Sequence, residues 1–157
     1  MFAITQDFII SELQRYKSYW MRILNKKIHL EFKDGEIETL IALPSGEKQL
    51  IDKTSFKRKE VLDRLTIEKK KRAWNKIRRI EYWLNQLSLR QREAIFWRII
   101  NHDFEPCNTE ECIGLKYKTL PYREIAYKMG INEKTVWSYV QEGIEKLIEI
   151  IDRPPQK

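Results

Sequence analysis

The chain has 157 residues, 42% of them hydrophobic and 34% charged, with a net charge of +7 and an isoelectric point near 9.4. This length and apolar content support one domain or two small ones with a packed core, and the positive charge favours an anionic partner, most commonly nucleic acid. No apolar run reaches the roughly 18 residues of a membrane span, the N-terminus lacks the basic region of a signal peptide, and Cys107 and Cys112 are too few for a disulfide framework. We therefore expect a cytoplasmic protein that does not bind membranes.

The predicted N-terminal segment, residues 1–54, combines a helix with a β-hairpin. The helix is predicted from Thr5 to about Asn25, because apolar residues recur with the three- and four-residue spacing of one buried face. These residues are Ile9, Leu13, Tyr16, Trp20 and Ile23. Two alternating runs, 28–32 and 37–43, then flank Asp34-Gly35, a pair typical of a tight hairpin turn. A lone hairpin is marginally stable, so it should pack on a helix or another chain, and a loop is expected through Thr54.

Residues 55–87 predict a long basic helix. Its apolar stripe comprises Trp74, Ile77, Ile80, Leu84 and Leu87. The stretch from Lys53 to Arg92 contains fourteen cations and four carboxylates. Its net charge is +10, so the remainder of the chain carries −3. Such a run is either a solvated helix face or a surface that contacts phosphates, and the two interpretations are about equally supported. Lys70, Lys71 and Arg72 are the candidate phosphate contacts.

The third segment, residues 88–153, begins with a capping box at Ser88 and Gln91 that starts a helix to about Ile100. This helix is expected to pack through Leu89, Ile95, Phe96 and Ile99. The stretch from Asn101 to Thr119 has no periodicity and predicts a loop. His102, Cys107 and Cys112 lack a fourth ligand for zinc, and no catalytic motif is present. We expect no metal or other cofactor, no small-molecule substrate and no enzymatic activity.

The segment from Pro121 to Leu147 predicts a helix-turn-helix. Ala126 falls where the helices cross closely, Gly130 falls at a turn that requires positive φ, and Asn132 can accept a hydrogen bond from the Thr135 N–H as an N-cap. The predicted inward positions are Ile125, Met129, Ile131, Val136 and Tyr139. Such a unit presents one helix face to a DNA major groove. The alternative is an αα-hairpin in an ordinary helical core.

The candidate DNA contacts lie on and around the second helix of this pair. Lys134 can donate to guanine, Thr135 can touch a thymine methyl group, and Glu133 can accept from cytosine. Ser138 and Gln141 can reach base edges or phosphates. Trp137 is predicted to point outward, where it contacts DNA or packs on a neighbouring helix or chain. Further cations nearby, expected to contact phosphates, are Arg123, Lys128, Lys116 and Lys118.

These residues resemble region 4 of bacterial sigma factors. The resemblance rests on Leu87-Ser88, Arg92-Glu93 and Ile95, then Glu124-Ile125-Ala126, Gly130-Ile131-Asn132, Val136 and the run 143–147. The N-terminal half does not resemble sigma region 2. The whole layout is similar to late-gene transcription regulators of Gram-positive phages and prophages, of the RinA and ArpU type. The resemblance implies an activator in a bacterial host cell that acts with RNA polymerase, although the second helix lacks the arginines of region 4.

The predicted fold is mainly α-helical, with a small N-terminal β-hairpin and a C-terminal helix-turn-helix similar to sigma region 4. The predicted function is sequence-specific binding of double-stranded DNA in transcriptional regulation, with a homodimer as one way to add affinity. Two alternatives stay open: a DNA-packaging recognition protein similar to a phage small terminase subunit, and a module similar to sigma region 4 that binds polymerase or an anti-sigma partner.

Overall fold

The computed structural model describes residues 2–51, 68–101, 103–106 and 115–152. The fold is mainly helical and has a small antiparallel sheet near the N-terminus, which confirms the predicted class. Contacts group the chain into two compact units. We call residues 15–86 the central unit, and residues 1–14 with 87–157 the terminal unit. The predicted division placed the N-terminal helix with the hairpin, whereas the contacts group its first half with the C-terminal segment.

The N-terminal helix predicted to run to Asn25 is two helices, α1 (Phe2–Gln14) and α2 (Tyr16–Leu24). Arg15 separates them, with φ −90° and ψ −2°. All five apolar residues of the predicted stripe are buried, but Ile9 and Leu13 belong to the terminal unit and the other three to the central unit. The stripe was therefore predicted correctly, while its assignment to one helix was wrong because the two halves pack in different cores.

The sheet of the central unit contains β1 (Ile28–Lys33), β2 (Glu36–Ala42) and β3 (Lys48–Leu50). β1 and β2 form the predicted hairpin, and Asp34 and Gly35 both have positive φ, 53° and 82°. The predicted loop after it is wrong at residues 48–50, which pair with β2. The chain turns back at 44–46, where the N–H of Gly46 donates to the carbonyl of Leu43.

Helix α3 (Glu68–Asn85) is the described part of the predicted long basic helix, and residues 55–67 of that prediction lie outside the described residues. It packs on α2, and the Trp20 and Trp74 rings meet edge to face at 5.9 Å between centroids. The hydroxyl of the fully buried Tyr16 donates to the carboxylate of Glu81 at 3.1 Å. Burial raises the pKa of Tyr16 well above its ordinary value, and the nearby Glu81 charge raises it further.

The terminal unit contains α1, α4 (Leu89–Ile95), a π-helical turn (Phe96–Ile100), β4 (Asp103–Pro106), β5 (Leu115–Lys118), α5 (Tyr122–Met129) and α6 (Glu133–Asp152). α6 packs on α1, α4 and α5. The long loop predicted between the helices is wrong where β4 and β5 pair antiparallel, since four-residue strands are too short to show a period. Leu89 is 55% exposed rather than packed, because it is the first residue of α4, directly after its cap.

Candidate nucleic-acid interface

The turn between α5 and α6 is built at Gly130. This residue has φ +68°, a left-handed conformation that costs glycine little. Its N–H donates to Tyr127 O, and the N–H of Ile131 donates to Ala126 O at 3.1 Å, so the last carbonyls of α5 have donors. A Cβ at Gly130 would meet nothing within 4 Å. The requirement for glycine here is therefore one of backbone conformation, as predicted, and not of space.

Helix α6 begins directly after Asn132, whose side-chain oxygen accepts from the Lys134 N–H at 2.8 Å. The predicted N-cap role is confirmed, but its donor is Lys134 rather than Thr135. The Asn132 carbonyl accepts the first helical hydrogen bond, from Val136. This cap fixes the residue at which α6 starts, and so fixes which side chains of its first two turns face outward.

The inner surface of the helix pair is apolar. Ile125, Met129 and Val136 are buried as predicted, whereas Ile131 and Tyr139 are half-buried. Ala126 is also buried, at 8% exposure. These contacts hold α5 against the first half of α6, and the second half buries Val140, Ile144, Leu147 and Ile148. The pair is thus one corner of a larger helical core, with α4 and α1 packed on the same long helix.

A close approach between helices occurs at Gly143, on α6. A Cβ there would lie 2.5 Å from Ile95 Cδ1 and 3.6 Å from Leu87 Cδ1. Ile95 belongs to α4 and is fully buried. The close helix crossing was predicted at Ala126, and Gly143 was noted only as part of the run 143–147 that resembles sigma region 4. A glycine inside a helix, where it lowers helix stability, was the signal that a packing reason existed.

Helix α4 links the pair to the rest of the unit. Its predicted capping box is confirmed, because Ser88 Oγ accepts from the Gln91 N–H and Gln91 Oε1 accepts from the Ser88 N–H. The Arg90 guanidinium donates to the carbonyl of Met129 at 3.5 Å, next to the turn. Arg92 donates to the carbonyl of Leu87 at 3.2 Å. Arg90 therefore stabilises the C-terminal end of α5. Arg92, which is part of the motif that resembles sigma region 4, stabilises the backbone just before α4.

The outward residues of α6 form a contiguous surface on its first two and a half turns. Glu133, Lys134 and Trp137 are exposed, with Trp137 at 53%. Thr135, Ser138 and Gln141 are half-buried. Lys134, Ser138 and Gln141 follow one another at spacings of four and three residues, so they share one side of the helix. Of the predicted contact residues of α6, these three thus share one side of the helix, with Glu133 and Trp137 on one flank of it and Thr135 on the other.

Helix α5 contributes a second exposed edge. Arg123 and Lys128 are exposed, and the Lys128 ammonium lies 4.8 Å from the centroid of the Trp97 ring. Tyr127 is 90% exposed. Sequence reasoning missed Tyr127, although an aromatic residue four positions after the outward Arg123 was available as the signal. An aromatic hydroxyl at this position adds a hydrogen-bond donor to the same edge of the helix pair.

The charge of this surface is balanced. Residues 122–142 contain three cations (Arg123, Lys128, Lys134) and three carboxylates (Glu124, Glu133, Glu142). Phosphate attraction scales with the number of cations that replace condensed counterions. The face of the helix pair can therefore supply hydrogen bonds and apolar contacts, but little net attraction to a polyanion.

The remaining predicted contacts lie elsewhere. Lys70 is half-buried, and Lys71 and Arg72 are exposed, all in the central unit on α3. Lys116 and Lys118 lie in β5, but their side chains are outside the described residues, as are His102, Cys107 and Cys112. Within the described ranges, no group of three or more histidines, cysteines or carboxylates could hold a metal ion.

No protein-family model, curated protein or solved structure matches the chain. Among the described helices, none has the length and apolar character needed to cross a membrane.

Proposed function

We propose that the protein is a sequence-specific regulator of transcription that binds double-stranded DNA, with α5 and α6 acting as a helix-turn-helix and α6 as its reading helix. The observation that carries the proposal is the single accessible face on which Lys134, Ser138 and Gln141 lie, at the start of a helix fixed by its cap. In such units, the N-terminal residues of the second helix contact base edges in the major groove. A role as activator of phage or prophage late genes with RNA polymerase rests on the family resemblance.

The side chains of this face suit base recognition. Lys134 can donate to guanine O6 or N7, and Gln141 can form a paired hydrogen bond with adenine. Trp137 on one flank of this face and Thr135 on the other can each make apolar contact with a thymine methyl group. The face is electrically balanced, and Glu124 and Glu133 repel nearby phosphates. We therefore expect this face to contribute more to the choice of DNA sequence than to the overall affinity for DNA.

The test is selection of binding sites from a random duplex library with the full chain, followed by affinity measurements on the selected site. We expect one enriched sequence. Lys134→Ala combined with Ser138→Ala should lower the affinity for that sequence by roughly tenfold or more, since each base contact contributes about 1–3 kcal/mol. The affinity for random duplex should change little.

The matched control is Lys146→Ala, which removes the same charge from an exposed position farther along α6. It should keep the sequence preference. A library from which no sequence is enriched, or equal effects of the two variants on selected and random DNA, would contradict the proposal.

A protein-interaction module is the second candidate, because the balanced face exposes two large aromatic side chains, Tyr127 and Trp137. Aromatic residues with few net charges are typical of protein interfaces. In this alternative, RNA polymerase or an anti-sigma partner is bound without DNA. Co-purification of polymerase after nuclease treatment, lost in Tyr127→Ala and Trp137→Ala but retained in Lys134→Ala, would favour it over DNA reading. The packaging-protein alternative predicts a ring of roughly eight or more subunits, whereas a regulator should be monomeric or dimeric by mass measurement.

A further inference from the structure

The charges of the central unit are segregated by element. From Arg15 to Leu30 the chain carries five cations and no carboxylate, and from Lys69 to Ile80 it carries seven cations and no carboxylate. These stretches include α2 and most of α3, which pack on one another. On the sheet, residues 31–48 contain five carboxylates (Glu31, Asp34, Glu36, Glu38, Glu47) and two cations (Lys33 and Lys48). Helices α2 and α3 are therefore basic and the sheet is acidic overall, although all of them belong to one compact unit.

The exposed side of α3 is a basic strip. Lys71, Arg72 and Arg78 are exposed on it, and Tyr82 ends it at 59% exposure. Its cations extend about 10 Å from residue 71 to residue 78, at 1.5 Å per residue. Glu81, the one carboxylate on the later turns of α3, is half-buried and accepts the hydrogen bond of Tyr16. No described carboxylate forms an ion pair with the cations of this strip named above.

Two cations from different helices converge on one tyrosine. The Arg22 guanidinium carbon lies 5.8 Å from the centroid of the Tyr19 ring, and the Lys76 ammonium lies 5.2 Å from the same centroid. Tyr19 is only 2% exposed, so its ring is a fixed support. Arg22 of α2 and Lys76 of α3 are therefore both held at the same buried ring, which joins the basic residues of the two helices.

We propose that α2 and α3 form a second DNA-binding surface, which holds the phosphate backbone of a duplex without regard to sequence. Arg22 and Lys76 at Tyr19 bind one phosphate region, and Lys71, Arg72 and Arg78 continue the contact along α3. Duplex DNA carries one charge per about 1.7 Å of axis, so the α3 cations, which span about 10 Å from residue 71 to residue 78, can all lie beside phosphates. A lipid surface fits less well, because the apolar face of α3 is buried in the core and unable to insert. The surface supplies the attraction that the balanced face of α5 and α6 lacks, and it does not depend on what that pair binds.

The test measures binding of the full chain to a short random-sequence duplex by fluorescence anisotropy, between about 50 and 200 mM salt. Arg22→Gln with Lys76→Gln should weaken binding roughly tenfold at 0.1 M salt. The slope of log affinity against log salt should become less steep by about 2, because each lost phosphate contact removes nearly one released counterion. Arg22→Lys with Lys76→Arg keeps both charges and should bind within about twofold of the original chain.

The matched control is Lys33→Gln with Lys48→Gln, which removes two exposed cations from the sheet of the same unit. Its salt slope should be unchanged. A slope that falls equally in both double variants would overturn the proposal, as would tighter binding to single-stranded DNA or to phosphatidylserine vesicles than to duplex. Circular dichroism verifies that each variant is folded. If the glutamine variant is unfolded, the affinity of the charge-keeping variant is compared with that of the original chain instead. If library selection enriches no sequence but this result holds, only the reading function of α6 fails.

Discussion

Gly143→Ala is the substitution whose outcome follows most directly from the geometry of the terminal unit. The added Cβ would lie 2.5 Å from Ile95 Cδ1, whereas ordinary contacts begin near 3.4 Å, so the isoleucine must move by about 1 Å. Ile95 is fully buried, so the end of its side chain can yield only by repacking against the residues that cover it. Overpacking of this kind costs about 1–3 kcal/mol. Alanine also stabilises a helix interior by about 1 kcal/mol relative to glycine, so we expect a net destabilisation of about 1 kcal/mol.

The second substitution, Ile95→Val, removes the atom responsible. On its own it should cost about 1 kcal/mol through the lost methyl group. In that background the nearest remaining contacts of a Cβ at position 143 are ordinary, since Ile95 Cγ1 and Leu87 Cδ1 both lie at 3.6 Å. Gly143→Ala should then stabilise the protein through helix propensity. The sign of its effect is expected to reverse, with a coupling energy of about 2 kcal/mol between the two substitutions.

The assay is urea denaturation followed by far-ultraviolet circular dichroism for the four proteins of the cycle. Equal dependence on urea across the four proteins verifies that the same transition is compared. Ile99→Val, an identical truncation of another buried isoleucine, is the control background and should show no coupling to Gly143→Ala. A coupling below about 0.5 kcal/mol with Ile95→Val would refute the close approach of α4 and α6 as the reason for this glycine.

Three further outcomes are expected. Gly130→Ala should lower stability by about 1–2 kcal/mol through its positive φ, and Gly130→Asn by less, since the site has open space; equal losses in urea denaturation would contradict this. Asn132→Ala should cost about 1 kcal/mol and weaken binding to a selected DNA site, whereas Asn132→Ser should restore both. The raised pKa of Tyr16 makes its neutral form the stable one, so stability should be complete below the ordinary tyrosine pKa of 10.0 and fall as pH rises above it. Tyr16→Phe should flatten that alkaline decline, and an unchanged decline in a pH series of thermal melts would refute the role of Tyr16.

The binding behaviour expected of this protein divides between its two units. Sequence choice is proposed for the electrically balanced face of α6, and attraction to phosphates for the basic surface of α2 and α3. The two proposals make separable predictions, because one concerns which duplex is preferred and the other concerns the dependence of binding on salt. Loss of Lys134 and Ser138 should alter the first property, and loss of Arg22 and Lys76 should alter the second.

Features that depend on neighbouring residues could be predicted from the sequence by itself. Three such features each depend on residues no more than about four positions apart. They are the capping box at Ser88, the turn at Asp34-Gly35 and the left-handed conformation of Gly130. The apolar stripes of α2 and α3 were also recognisable, because helical spacing identifies a buried face without naming what covers it. The mainly helical class followed from these signals.

Only the tertiary structure decided which surfaces meet. It divided the N-terminal stripe at Arg15 between two cores, paired Lys48–Leu50 with β2, and placed Gly143 against Ile95, 48 positions earlier in the chain. It also brought Arg22 and Lys76 to one tyrosine ring. Local secondary-structure propensity does not indicate such distant partners, because which helices and strands pack together depends on how much apolar surface they bury jointly. The sequence determined the elements and the turns between them, and the packing of those elements determined which of the charges and glycines had a role.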